Sequence, residues 1–303
     1  MPRVVAVVGP TATGKSALGV AIAAAVGGEV INADSMQLYR GMDIGTAKLT
    51  DAERSGVPHH LLDIWDVTQT ASVADYQARA RGRIDELLAG GVTPVLVGGS
   101  GLYVRAVLDR IEFPGTDAEV RGQLEADLAE VGAPALHARL AAVDPAAASA
   151  IAPENGRKIV RALEVMALTG QPFTAALPTY DEPYYDAVQI GLDLPTNQLD
   201  LRITKRVEHM IEQGFLDEVR ALDAVGLRDG VTASRALGYA QLLAVIDGRR
   251  DLAAAIAETA QATRRFVRRQ RSWFRRDPRI TWHEPSETLL ADALQAIGAS
   301  SRS

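Results

Sequence analysis

Eight consecutive residues near the start of the chain, Gly9-Pro10-Thr11-Ala12-Thr13-Gly14-Lys15-Ser16, constrain it more than any other feature. They keep the spacing G-x-x-x-x-G-K-[ST], directly after a β-branched run at residues 4–8 and before an Ala-rich run at residues 17–26. That strand–loop–helix setting is the one in which the spacing holds phosphate. The glycines let successive backbone N–H groups turn toward one anion, the helix N-terminus adds partial positive charge, and Lys15 adds a full one. Ser16 is placed to ligate Mg2+ through its hydroxyl. The loop implies a bound di- or triphosphate and leaves the reaction open.

The surrounding pattern supplies the fold class. Residues 29–32 read as a second strand ending near Asp34, and residues 73–89 as a helix with Ile84, Leu87 and Leu88 on one face. Residues 93–97 read as a third strand that runs into Gly98-Gly99-Ser100-Gly101. This alternation predicts βαβ units and an α/β, P-loop NTPase-like, doubly wound parallel sheet. From residue 116 the pattern changes. Residues 117–170 read as almost wholly helical, with turns at Gly132-Ala133-Pro134 and Ala152-Pro153-Glu154-Asn155-Gly156. A Pro-rich stretch at 172–183 leads into a strand at 187–192, followed by long helices at 197–222 and 252–274, and the tail at 298–303 is expected to fray. The predicted organisation is a core of residues 1–115 and 187–303, ending in an Arg-rich helix, with a mainly helical inserted domain at 116–186.

At 303 residues the chain suits one large domain or two smaller ones. It has no cysteine, which excludes a disulfide framework, cysteine-ligated zinc and thiol chemistry, and fits a cytoplasmic protein. No apolar run approaches the ~18 residues that span a bilayer, and the N-terminal segment lacks a small-residue cleavage site. A monomer with no membrane partner is expected. The net charge of −6 hides an asymmetry: Arg264, Arg265, Arg268, Arg269, Arg271, Arg275, Arg276 and Arg279 share their segment with one acid, Asp277. That segment carries +7 and the remainder −13. Such a face either binds a polyanion or is a solvated surface balanced by the acidic remainder.

Nucleotide-hydrolysing proteins with this loop place an acid at the end of a later strand to hold Mg2+. Here residues 94–97 end in Gly98-Gly99, and the acid at a strand end is Asp34, within Ile31-Asn32-Ala33-Asp34-Ser35-Met36-Gln37-Leu38-Tyr39. Ligands of open α/β sheets sit beyond the carboxyl ends of the strands, where Lys15, Asp34 and Ser100 all fall. A carboxylate facing a diphosphate accepts a proton from an incoming nucleophile. A helix N-cap or an Mg2+ partner remains the alternative for Asp34.

Seven segments in order resemble the bacterial tRNA dimethylallyltransferase (tRNA isopentenyltransferase) family: GPTATGKS at 9–16, NADSMQLYRGMDIGTAK at 32–48, PHHLLD at 58–63, VGGSGLY at 97–103, RKIVRALEV at 157–165, SRALGY at 234–239 and ATRRFVRRQRSWFR at 262–275. The resemblance covers nearly the whole chain. It implies transfer of a dimethylallyl group from dimethylallyl diphosphate to N6 of adenosine 37 in the tRNA anticodon stem-loop, with Mg2+ as cofactor. It implies further that Gly9, Pro10, Thr11, Ala12, Thr13, Gly14, Lys15 and Ser16 hold the diphosphate, that Arg235 completes the clamp, and that Asp34 takes the N6 proton. Lys15, Asp34 and Arg235 form the implied catalytic set. Asp34, Ser35, Met36 and Gln37 are assigned to the base, with Gln37 offering both donor and acceptor to an adenine edge. Ser100 and Arg121 are assigned to the RNA near the channel. Arg157, Lys158, Ile159, Val160 and Arg161, and the face of Arg264, Arg265, Arg268, Arg269 and Arg271, are assigned to the tRNA backbone.

Other readings accompany these. Phe266, Trp273 and Phe274 suit core packing better than base stacking, His59 and His60 lack ligand-spaced partners, and Tyr103 suits packing. Spacing assigns no role to Asp43 or Lys48. A small-molecule kinase using ATP, or a transferase acting on free adenine nucleotides, also explains the loop, but neither calls for the Arg-rich helix or the insertion.

Overall fold

The structure, a computed structural model, describes residues 3–173 and 179–300. Six strands form one sheet in the order β3-β2-β4-β1-β5-β6, every neighbouring pair parallel. They are β1 (Val4–Val8), β2 (Glu29–Asn32), β3 (His59–His60), β4 (Pro94–Gly98), β5 (Ala187–Leu192) and β6 (Ile280–His283). The central strands β1 and β4 are buried at every residue, because helices cover both faces of the sheet. Alternation then sorts the side chains. Val5 and Val7 face α1 (Lys15–Val26), whereas Val4, Ala6 and Val8 face the opposite, larger core.

That larger core receives α3 (Val73–Ala89) and α4 (Gly101–Leu108); α2 (Asp51–Arg54) is a single capped turn before β3. Further along the chain lie α5 (Ala118–Val143), α6 (Pro145–Ala150) and α7 (Gly156–Thr169), then α8 (Thr196–Glu212), α9 (Phe215–Ala224), α10 (Tyr239–Ile246), α11 (Leu252–Phe274) and α12 (Leu289–Ser300). α9, α10 and part of α11 complete the larger core, and α12 joins α1 on the other face.

The chain divides into two compact units, Met1–Asp109 with Glu182–Ser303, and Arg110–Asp181. The first crossing follows Asp109, which is fully buried, held by Arg105 and Arg279 and bridged to Pro183. The second unit has its own core, built from Leu124, Leu136 and Leu140 of α5, Ile151, and Ile159 and Leu163 of α7. Among the described residues no helix is long and apolar enough to cross a membrane.

The structure refines the local expectations at several points. The helix expected over 197–222 is two helices, α8 and α9, because the chain turns through the left-handed region at Gly214 (φ 96°). The turn expected at 132–134 is present: two helical stretches of α5 meet at Gly132, whose backbone is not helical (φ 79°, ψ 165°). A further break falls at Asp144, whose carboxylate caps Ala147 N at 2.9 Å ahead of the α6 turn begun by Pro145. The edge strands β3 and β6 carry too few residues for a readable alternation. Residues 298–300 continue α12, while the rest of the tail and the centre of the Pro-rich stretch, 174–178, lie outside the described residues.

Candidate active site

The phosphate loop leaves β1 at Gly9, where φ is 133° and a Cβ would sit 2.2 Å from Leu192 O, so only glycine fits. Bonds within the loop and to its neighbours set its shape. Thr13, fully buried, donates from Oγ1 to Pro10 O at 2.9 Å, and Lys15 Nζ donates to the same carbonyl at 2.6 Å. Gln270 of α11 ties the loop to the end of β4: Oε1 accepts from Thr11 N at 3.0 Å, and Nε2 donates to Gly99 O at 2.8 Å.

Asp34 is fixed as tightly. Asn32 Oδ1 accepts from Asp34 N at 2.9 Å, and Asn32 Nδ2 donates to Asp34 O at 3.1 Å and Leu61 O at 3.0 Å. Asp34 Oδ1 accepts from Met36 N at 2.9 Å; among the described residues Oδ2 accepts nothing. The N-cap alternative for Asp34 reduces to this short-range turn, since no helix begins there. Ser35 and Ser100, far apart in sequence, meet: Ser100 Oγ accepts from Ser35 N at 3.1 Å and donates to Ser35 Oγ at 3.2 Å.

These elements enclose a cavity of about 620 Å³ at the carboxyl ends of β1, β2 and β4. Thr11, Gly14, Lys15 and Ser16 of the loop line it together with Asp34, Gln37 and Gly99. So does Arg206 of α8, a cation that no sequence motif singled out. Arg235, exposed in the 3-10 turn Ala233–Arg235, does not line the cavity; Arg206 stands where a clamp arginine was expected from Arg235. A signal for it existed. Ile203, Arg206, Val207 and Met210 share one helical face, three of the four are buried, and an arginine set in an apolar stripe marks a charge put to use.

Burial, then the Arg206 guanidinium, lower the pKa of Lys15 to about 7, against the opposing pull of Asp34. Burial likewise lowers Arg206, again opposed by Asp34. Two cations and one carboxylate thus share a space that favours an added anion. His59, lowered chiefly by burial, lines the far wall with Nδ1 2.8 Å from Val57 O, and His60 Nε2 lies 2.5 Å from Glu29 Oε2. Among the described residues no group of three His, Asp or Glu side chains could hold a metal. Tyr103 is buried against Tyr76, with ring centroids 4.8 Å apart.

The Arg-rich helix separates into two sets. Arg264 reaches Thr204 Oγ1 at 2.7 Å and Asp200 at 3.7 Å, Arg271 and Arg275 share Asp193, and Arg279 is held by Asp109 and Asp277. Arg265, Arg268, Arg269 and Arg276 are exposed and make no ion pair among the described residues. Phe274 is core, Trp273 packs against it, and Phe266 lies 5.7 Å beneath Arg269. In the second unit Arg157 and Lys158 are exposed, whereas the Ile159 and Val160 side chains are buried in its core. Arg121 and Arg161 both bind buried Glu164, at 2.5 and 2.7 Å. One carboxylate balances one of the two charges.

The fold and cavity define an α/β protein with a parallel sheet in which Lys15 of the loop and Arg206 of α8 share one cavity with the fixed carboxylate of Asp34. The model of the IPP transferase family matches residues 37–277. A tRNA dimethylallyltransferase of Streptomyces griseus is 67% identical over 281 residues, 93% of this chain and 90% of the relative. One from Salinispora arenicola is 64% identical over 300 residues, 99% of this chain and 87% of the relative. The crystal structure of a tRNA isopentenylpyrophosphate transferase from Bacillus halodurans superposes with a TM-score of 0.73 at 40% identity, covering 100% of this chain and 99% of that one. The chain belongs to the IPP transferase family.

Lys15 and Glu164 each impose a pH dependence that can be measured. An anion in the cradle favours the Lys15 ammonium, so diphosphate binding takes up a proton above pH 7. Affinity for inorganic diphosphate, read by titration calorimetry, is expected to fall above about pH 7 by up to about tenfold per pH unit more in the native protein than in Lys15→Met. Identical pH profiles would refute the assignment. Burial works against ionisation of Glu164, but hydrogen bonds from Arg121, Thr116 and Arg161 overcome it and hold the group at about 2. A depressed carboxylate stabilises the fold above its unfolded pKa and loses that contribution as pH falls through the folded one. Glu164→Gln should therefore lower the urea midpoint at pH 7, with the gap to wild type closing as pH falls toward about 2. A pH-independent gap would assign the loss to packing alone.

Proposed function

We propose that this protein is a tRNA dimethylallyltransferase, joining the dimethylallyl group of dimethylallyl diphosphate to N6 of adenosine 37 beside the anticodon. The observation that carries this reading is the shared cavity of Lys15, Arg206 and Asp34. A kinase would need its carboxylate to serve the metal; here Asp34 stands at the end of β2, opposite the loop.

The N6 lone pair is delocalised into the purine ring, so the allylic carbon must develop cationic character as its bond to diphosphate oxygen breaks. Negative charge then gathers on the departing diphosphate. The loop N–H groups, Lys15 and Arg206 stabilise that charge, and one such charge-directed donor is worth about 2.7–4 kcal/mol. The new bond joins N6 to the allylic carbon, and the N6 proton passes to the open Oδ2 of Asp34. Ser16, which lines the cavity, would hold Mg2+ together with diphosphate oxygens, and the ion would neutralise leaving-group charge.

The adenosine must leave its stack to reach a cavity of this depth, at a cost of a few kcal/mol that is smallest in a loop. Arg265, Arg268, Arg269 and Arg276, with Arg157 and Lys158 of the second unit, are among the exposed cations available to tRNA phosphates.

Mass analysis of tRNA nucleosides, after incubation with enzyme and dimethylallyl diphosphate, tests the reading. N6-dimethylallyladenosine at position 37 is the expected product; phosphoryl transfer from ATP to a metabolite would establish a kinase instead. Asp34→Asn keeps an acceptor for Met36 N but not the base, so kcat should drop about 10²–10⁴-fold with hairpin affinity retained. Equal loss of both would make Asp34 structural. Replacing Arg265, Arg268 and Arg269 by Gln should reduce the slope of log affinity against log salt by about 0.7–0.9 for each RNA phosphate left without its cation. An unchanged slope would return the helix to a solvated face.

A further inference from the structure

The segment between Met42 and Lys48 forms one wall of the cavity through Asp43, Ile44, Thr46, Ala47 and Lys48, and has no regular secondary structure. Its shape comes from a residue outside the cavity. Glu218, in the first turn of α9, accepts hydrogen bonds from three successive backbone N–H groups: Asp43 N at 3.1 Å, Ile44 N at 2.6 Å and Gly45 N at 3.2 Å. The fully buried Tyr239 donates its hydroxyl to the same carboxylate at 2.5 Å. Lys48 secures the far end, with its side chain 4% exposed and Nζ donating to Tyr39 O, Asp43 and Asp63.

The residues anchored on Glu218 hold the next two in turn: Asp43 O accepts from Lys48 N at 2.9 Å and Ile44 O from Ala47 N at 3.0 Å, which fixes the peptide units that carry the Thr46 and Ala47 carbonyls. Gln37 Nε2 donates to Thr46 O at 3.1 Å and Ala47 O at 3.3 Å. Both partners are carbonyls and can only accept, so the amide cannot flip. Both donors of Gln37 are engaged, and Oε1 is the polar atom it has left for the cavity. The donor-and-acceptor role expected from the sequence is corrected to an acceptor alone.

We propose that Glu218 is a positioning residue for base selection: by holding residues 43–45 it fixes the carbonyls that lock Gln37 as a pure acceptor, which accommodates a purine carrying an exocyclic amino group and rejects one carrying a carbonyl there. The inference rests on the reading that an adenine enters this cavity. Adenine offers an N6 donor where guanine and hypoxanthine place an oxygen, and an acceptor facing an acceptor leaves both unpaired in a desolvated site.

The test compares anticodon hairpins bearing adenosine or inosine at the acceptor position, bound to the full-length protein, with inorganic diphosphate affinity as the control. Wild type should prefer the adenosine hairpin by about tenfold or more. Glu218→Gln turns an amide NH2 toward the backbone donors and should lose most of that preference while diphosphate affinity holds. Gln37→Met should lose it to the same extent, and the double variant should lose no more, as required of two residues in one connected chain of hydrogen bonds. Tyr239→Phe, which leaves the three backbone bonds, should lose less and serves if Glu218→Gln does not fold. Folded variants that keep the full preference, or Glu218 and Gln37 effects that add independently, would overturn the proposal. A wild-type protein that alkylates no adenosine hairpin overturns the underlying function instead, so the two failures read differently.

Discussion

Charge balance in the cavity governs how this protein is built. Lys15 and Arg206 lie where burial works against their ionisation, and Asp34 alone opposes that effect. Two partly desolvated cations facing one carboxylate form a site that favours an added anion. The sheet makes the arrangement possible. β1 delivers the loop, β2 delivers Asp34 and β4 delivers Gly99 to the same edge, while the helices on both faces supply the burial that gives each charge its effect.

The side chains that keep the site in shape come from late in the chain. Gln270 of α11 bridges the phosphate loop and Gly99, Arg206 of α8 supplies the second cation, and Glu218 of α9 shapes the wall beside Gln37. Early strands carry the reacting groups and later helices hold them still. A residue such as Gln270 therefore matters to the shape of the loop without lining the cavity, because a half-satisfied polar bridge in a buried position would cost more than its absence.

The legible parts of the structure were those with local rules. The phosphate loop follows from spacing alone, and the central strands follow from β-branched runs that both faces of the sheet bury. Helices such as α3 and α11 follow from apolar periodicity. What stayed hidden depends on long-range pairing. Arg271 and Arg275 look like RNA ligands in sequence, yet both close on Asp193, some eighty residues earlier, which no local pattern announces. Arg121 and Arg161 hide the same way behind Glu164. Arg206 was readable as the charged member of a buried stripe, whereas Glu218 was not: its partners are backbone amides of a segment without regular structure.

The carbonyl of Pro10 bears on how the loop presents its charge. It receives both Thr13 and Lys15, so the ammonium is already aimed and already solvated by an oxygen of the chain itself. An anion reaching Lys15 would exchange one oxygen partner for another. The same oxygen thus sets both the fold of the loop and the direction in which its charge points.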